Sequence, residues 1–158
     1  MRLKKTFNYK MSPLSKDEIT DEALAIHGLS RDEIAKFPSQ KSGLECFKKM
    51  MGAYVNKFVR TDKFIMAGYN IKFDADMLRA CMLKNGDPYF GSWFFWPLLD
   101  VQTFVALKVL NGLHLPNFQL FTVCTHFGIE LDAHDAMSDI KATRELYYLL
   151  RRSLYDTK

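Results

Sequence analysis

Ala67-Gly68-Tyr69-Asn70-Ile71-Lys72-Phe73-Asp74 closes an apolar run and ends on a carboxylate. The run Phe64–Tyr69 is short and apolar enough for a buried strand. From Phe73 to Leu83 the spacing becomes helical, and it stops at Asn85-Gly86. A strand passing into a helix in this way predicts an α/β fold. Asp74 then sits just past a strand end, where such folds form ligand crevices. A second acidic segment, His134-Asp135-Ala136-Met137-Ser138-Asp139, leads into a helix expected over residues 139–154. That helix is apolar on one side through Ile140, Leu146, Tyr147, Leu150 and Leu154.

Outward from these two segments, Lys5 to Met11 alternates polar and apolar residues and predicts a half-buried strand ended by Ser12-Pro13. Ser15-Lys16-Asp17-Glu18 and Ser30-Arg31-Asp32-Glu33 both have capping-box spacing, around a short helix that His27-Gly28 closes. Ser42 to Arg60 reads as an amphipathic helix, with Leu44, Phe47, Met51, Tyr54, Val55 and Phe58 on one face. Trp96 to Leu107 holds a strand or helix around Asp100, and Phe118 to Phe127 a further helix. No repeat, low-complexity tract or linker interrupts the chain, so residues 1–158 are expected to form one domain.

Composition narrows the function classes. Hydrophobic residues make up 48% and charged residues 25%, which excludes a disordered chain. No apolar run reaches membrane-spanning length, and no apolar stretch follows the basic N-terminus as in a signal peptide. Cys46, Cys81 and Cys124 are odd in number and widely spaced, which predicts buried thiols and a cytoplasmic protein. The formal net charge of +4 suits a phosphate-rich partner without requiring one.

Taken singly, each candidate residue has two readings. Asp74 and Asp139 at helix starts fit either dipole-stabilising acids or ligands for a hard cation. His134, in the polar loop before the last helix, is either a surface histidine or a general base titrating near neutral pH. Cys124 and His126 lack the spacing of a zinc site. Lys48, Lys49, Lys57, Lys63, Lys141 and Arg144 either line solvated helix faces or supply charge to a polyanion. Trp93-Phe94-Phe95-Trp96 is read as core or partner surface in preference to a base-stacking platform.

In combination these segments resemble the DEDDh (DnaQ-like) family of 3′–5′ exonucleases, typified by the epsilon proofreading subunit of bacterial DNA polymerase III. Asn70, Phe73 and Asp74 match that family's Asn-x-x-Phe-Asp, and His134, Ala136 and Asp139 match its His-x-Ala-x-x-Asp. Asp100-Val101-Gln102-Thr103 matches the Asp-led element between them. Leu120 to Ile129 matches the apolar helix ending in Gly-Ile, and Ile26-His27-Gly28-Leu29-Ser30 matches Ile-His-Gly-Ile-Thr. The resemblance runs from about Phe7 to Leu150.

The resemblance implies a ribonuclease H-like mixed sheet flanked by helices. It implies two divalent ions, Mg²⁺ or Mn²⁺, about 4 Å apart, hydrolysing phosphodiesters at the 3′ end of single-stranded DNA or RNA. Asp139 and Asp74 would be metal ligands and His134 the general base. His27, Asn70 and Phe73 would meet the substrate, and a DNA polymerase is an implied partner.

The same family carries an Asp-x-Glu on its opening strand, and no aspartate in this sequence has a glutamate two positions later. Two strands with their turns, roughly 20–35 residues, would hold it. Their absence would leave the edge of the Phe64–Ala67 strand open. An internal start, a split gene or a divergent paralogue would each account for this, and the retained Asp74, His134 and Asp139 favour truncation. The expectation is therefore an exonuclease domain, weak or inactive as given, or alternatively a silent module that binds nucleic acid or a polymerase.

Overall fold

A computed structural model describes residues 5–15, 17–132 and 135–155, with all side chains among them except those of His27, Ser153, Leu154 and Tyr155. The elements run α1 (Asp21–His27), α2 (Arg31–Ala35), α3 (Gln40–Gly52), β1 (Ala67–Gly68), α4 (Ile71–Lys84), α5 (Phe90–Trp93), β2 (Leu99–Asp100), α6 (Val101–Leu110), α7 (Leu120–Phe127) and α8 (Ala136–Tyr155). Helices with a small parallel sheet make this a mixed α/β fold. None of the described helices is long and apolar enough to cross a membrane. The chain divides into two compact units, one of Met1–Phe64 with Leu78–Phe94, the other of Ile65–Met77 with Phe95–Lys158.

In the first unit, capping side chains set the helix starts. Thr20 accepts from the Ala23 N–H at the head of α1. Ser30 and Glu33 form the reciprocal capping box of α2, and the Ser39 hydroxyl accepts from Ser42 N–H on α3. The box expected at Ser15 caps no helix; the Asp17 carboxylate instead accepts from Leu14 N–H in a turn. The strand expected at Lys5–Met11 is extended chain without a ladder, and its Ser12 makes one parallel bridge with Ser39. The alternation survives as packing, because Phe7 stacks with Tyr9 at 6.0 Å and lies 5.4 Å from the Phe47 ring of α3. Gly43 makes this approach possible: a Cβ there would fall 2.1 Å from Met11 Sδ and 3.0 Å from the Tyr9 ring.

Helix α3 stops at Gly52, short of the expected Arg60, because Asn56 competes for the backbone. Its carboxamide oxygen accepts from Phe58 N–H, an Asx turn incompatible with continued helix. Phe58 is accordingly 87% exposed, whereas Val55 is buried. Trp93 and Phe94 are core residues as expected, but Trp96 is 69% exposed. Of the thiols only Cys124 is buried; Cys46 is exposed, a correction to the reading of three buried cysteines.

The second unit contains the sheet. Ala67 and Gly68 pair in parallel with Leu99 and Asp100, and Leu99 N–H donates to Met66 C=O at 2.9 Å. The expected strand Phe64–Tyr69 is thereby reduced to two ladder residues. A Cβ at Gly68 would fall 2.6 Å from Ile71 Cδ1, so the Ile71 side chain packs over the bare glycine. Val101 and Val105 of α6, Val123 and Cys124 of α7, and Ala142, Leu146 and Leu150 of α8 form one core cluster with Ile129. Phe104 and Tyr147 meet edge to face at 5.8 Å, and α8 packs against both α6 and α7.

The first unit contains a testable ion pair. Lys48 Nζ lies 2.9 Å from Asp87 Oδ2, with both side chains largely shielded. Burial works to raise the Asp87 pKa, but hydrogen bonds from Lys48 and Tyr89 N–H, with the Lys48 and Lys57 charges, hold it below its ordinary 3.8. A depressed carboxyl pKa contributes stability that is present above the unfolded value and lost as pH falls through the folded one. Lys48→Ala is expected to cost about 1–2 kcal/mol at pH 7 in chemical denaturation. That difference from wild type should shrink as the pH drops below about 4.

Candidate active site

Because β1 and β2 are parallel, their carboxyl ends emerge together, and both lead into helices. Asp100 joins the two ends. Its Oδ1 accepts from Gln102 N–H at 3.0 Å, capping α6, and from Asn70 N–H at 2.9 Å, just after β1. Asn70 takes φ 54°, the left-handed region that asparagine tolerates better than most residues. This turn redirects the chain into α4, whose first residue is Ile71. Tyr69 supports it from the other side, its hydroxyl donating to Phe118 C=O at 2.6 Å. Burial, with the nearby Cys124 and Asp100, pushes the Tyr69 phenol up to about 12, although a hydrogen bond with Gln102 opposes the shift.

Asp74 lies in the first turn of α4. The surrounding chain desolvates it enough to raise its pKa, partly opposed by a hydrogen bond from its own backbone. Phe73 beside it is 63% exposed. Lys72, one residue earlier, pairs with Asp76 one turn on.

Asp139 lies in the first turn of α8, whose start is tied down by its neighbours. The Asp135 carboxylate accepts from Met137 N–H at 3.3 Å and Ser138 N–H at 3.0 Å, and Asp135 C=O accepts from Asp139 N–H at 3.0 Å. Ser138 Oγ in turn accepts from Asp132 N–H at 2.9 Å. Asp139 is half-buried and falls on the helix face of Ala142, Thr143 and Leu146. Its charge reaches Cys124 of α7: burial chiefly, then Asp139 and Glu145, raise that thiol to about 11. An open groove beside this helix start is lined by Glu130, Leu131, Asp132, Ser138, Lys141, Ala142 and Glu145.

The structure thus sets Asn70 against Asp100 and puts Asp74 and Asp139 on two helix first turns within one unit. His134 lies outside the described residues. His27 ends α1 in the first unit, and its side chain is also outside them. Sequence reasoning missed the bracing role of Asp100 and the capping role of Asp135. Each is an aspartate directly before a helical run, which is the signal that would have found it.

Asp74 and Asp139 fit a hard cation in kind, offering carboxylate oxygens near helix starts. They do not amount to a protein cage, because among the described residues no group of three or more His, Cys, Asp or Glu could hold a metal. Mg²⁺ needs no such cage, since it can be held by one or two carboxylates with water and substrate phosphate completing the shell.

The turn at Asn70 gives a direct test of whether its side chain or its backbone matters. Asn70→Gly keeps the left-handed turn and is expected to melt within about 0.5 kcal/mol of wild type. Asn70→Ala is expected to lose about 1–2 kcal/mol. Thermal denaturation of the two variants measures the difference.

The family model RNase_T, described as Exonuclease, matches residues 2–147 of the 158. No curated protein matches the chain. The match covers β1, β2, α4 and the Asp139 turn of α8 in one stretch, and the chain belongs to this exonuclease family.

Proposed function

We propose that this chain is a metal-dependent 3′–5′ exonuclease domain acting on the 3′ end of single-stranded DNA or RNA. The observation that carries the proposal is the family match across the segments that hold Asp74 and Asp139. In this reading the fold is ribonuclease H-like, and the two strands that would carry Asp-x-Glu lie outside this sequence. Residues 1–158 work as a single exonuclease-like domain.

Asp139 would be a direct metal ligand, and Asp74 would hold the second metal, often through water. When bound, Mg²⁺ or Mn²⁺ supplies charge neutralisation at the scissile phosphate and acidifies water. His134 takes the proton from the attacking water. Asn70 meets backbone phosphate, Phe73 supports the terminal base, and His27 lies along the strand's path. The exposed ring of Phe73 suits stacking on a base, because it is already uncovered.

The absence of Asp-x-Glu from the sequence favours a second reading, a catalytically silent module that holds nucleic acid or a polymerase. The two readings separate in one assay on a 5′-labelled single-stranded oligonucleotide with Mg²⁺ or Mn²⁺. The exonuclease reading expects a slow ladder shortening from the 3′ end. Asp139→Ala should abolish it, and His134→Ala should slow it by about 10²–10⁴-fold. A ladder that Asp139→Ala leaves unchanged would refute catalysis by these residues, and an absent ladder would favour the silent module.

A further inference from the structure

We propose that the outer face of α8 is an anchoring surface for a nucleic-acid backbone, separate from the Asp139 face of the same helix. The proposal rests on the nuclease reading for the nature of the polyanion. Its geometry stands on its own.

Lys141, Arg144, Tyr148 and Arg151 recur at three- and four-residue steps, with Arg152 one turn beyond Tyr148, so they form one stripe. Ala142, Thr143, Leu146 and Leu150 are buried on the opposite face, where Asp139 also falls. All four cations of the stripe are solvent-exposed, and Glu145 is the one acid beside them on this helix face. None of the four has a carboxylate partner among the described residues. Elsewhere, three of the four lysines that sequence analysis offered as charge suppliers have local tasks. Lys48 pairs with Asp87, Lys57 sits over Trp93, and Lys63 donates to Gly91 C=O.

Two of the arginines are held in place. The Arg144 guanidinium lies 5.5 Å from the Tyr148 ring centre, and that of Arg151 lies 5.9 Å from Tyr148 and 6.0 Å from Tyr147. A cation–π contact of this kind favours one placement of the guanidinium and leaves N–H groups free to donate to a phosphate. The ordering entropy of two long side chains is thereby partly met before any ligand arrives. From Lys141 to Arg152 the stripe is about 16 Å long at a helical rise of about 1.5 Å per residue. That length spans a few phosphates of one strand. Unpaired, pre-positioned cations in a straight row fit a regularly spaced polyanion.

Fluorescence anisotropy with a labelled 30-nucleotide single strand, in EDTA across about 50–200 mM salt, tests the surface without any cleavage. Arg144→Gln with Arg151→Gln is expected to weaken binding by about tenfold at the low-salt end. The slope of log affinity against log salt should fall by about 1.4, or about 0.7 per phosphate contact. Arg152→Gln, which touches no ring, should lower the slope by about 0.7 with an unchanged circular dichroism spectrum. Arg144→Lys with Arg151→Lys should keep the slope. Affinity and slope equal to wild type in the glutamine variants would overturn the proposal. So would binding of polyglutamate in place of the oligonucleotide, which would assign the face to an acidic protein segment. Failure of the exonuclease reading shows differently, as oligonucleotide binding that persists with no ladder when Mg²⁺ is supplied.

Discussion

One carboxylate oxygen of Asp100 accepts hydrogen bonds from Asn70 N–H and from Gln102 N–H, two donors that follow different strand ends. The architecture of the second unit depends on that double acceptance. β1 and β2 are each two residues long, so their ladder alone offers little to fix the register. The carboxylate supplies the missing constraint by satisfying a backbone donor after each strand. It also caps α6, and the turn it secures at Asn70 directs α4. A hydrogen bond to a charged group contributes about 1.5–3 kcal/mol, comparable to what such a short ladder can add.

Much of this was legible in the sequence, and the exceptions share a cause. Helices α4, α7 and α8 lie close to where periodicity put them, and α7 and α8 each bury a stripe in one core with α6; the element around Asp100, read as strand or helix, is β2 followed by α6. The resemblance likewise pointed to an exonuclease, and exonuclease is the family that the match shows. Strands were over-read. Alternation in Lys5–Met11 records which side chains are covered, and Phe7 packs on Phe47 and stacks with Tyr9 without any ladder. A side-chain period of two says nothing about whether a neighbouring strand exists to bond. The helix at Ser42–Arg60 was over-extended for a different reason. An Asx turn at Asn56 outbids the amphipathic pattern locally, and Phe58 is left in solvent.

The candidate site was legible in its residue types and less so in its supports. Asp74 and Asp139 were singled out correctly as acids at helix starts. Asp100 was seen as the head of an element, yet its bond to Asn70 is long-range and leaves no trace in local sequence. Asp135 was overshadowed by the motif around it, although it caps the helix that presents Asp139. The exposed arginine and tyrosine pattern on α8 looked like an ordinary solvated face. Only coordinates distinguish a guanidinium resting on a ring from one paired to an acid.

The account turns on whether Asp74 and Asp139 serve one metal centre. The most direct measurement is paramagnetic broadening by substoichiometric Mn²⁺ in the amide NMR spectrum of the wild-type chain, with Asp139→Ala beside it. The predicted result is selective loss of the signals around Asp74 and Asp139, including Asn70, and its disappearance in the variant. Uniform broadening, or broadening centred on Glu130, Asp132 and Glu145 with Asp74 unaffected, would contradict a shared metal site.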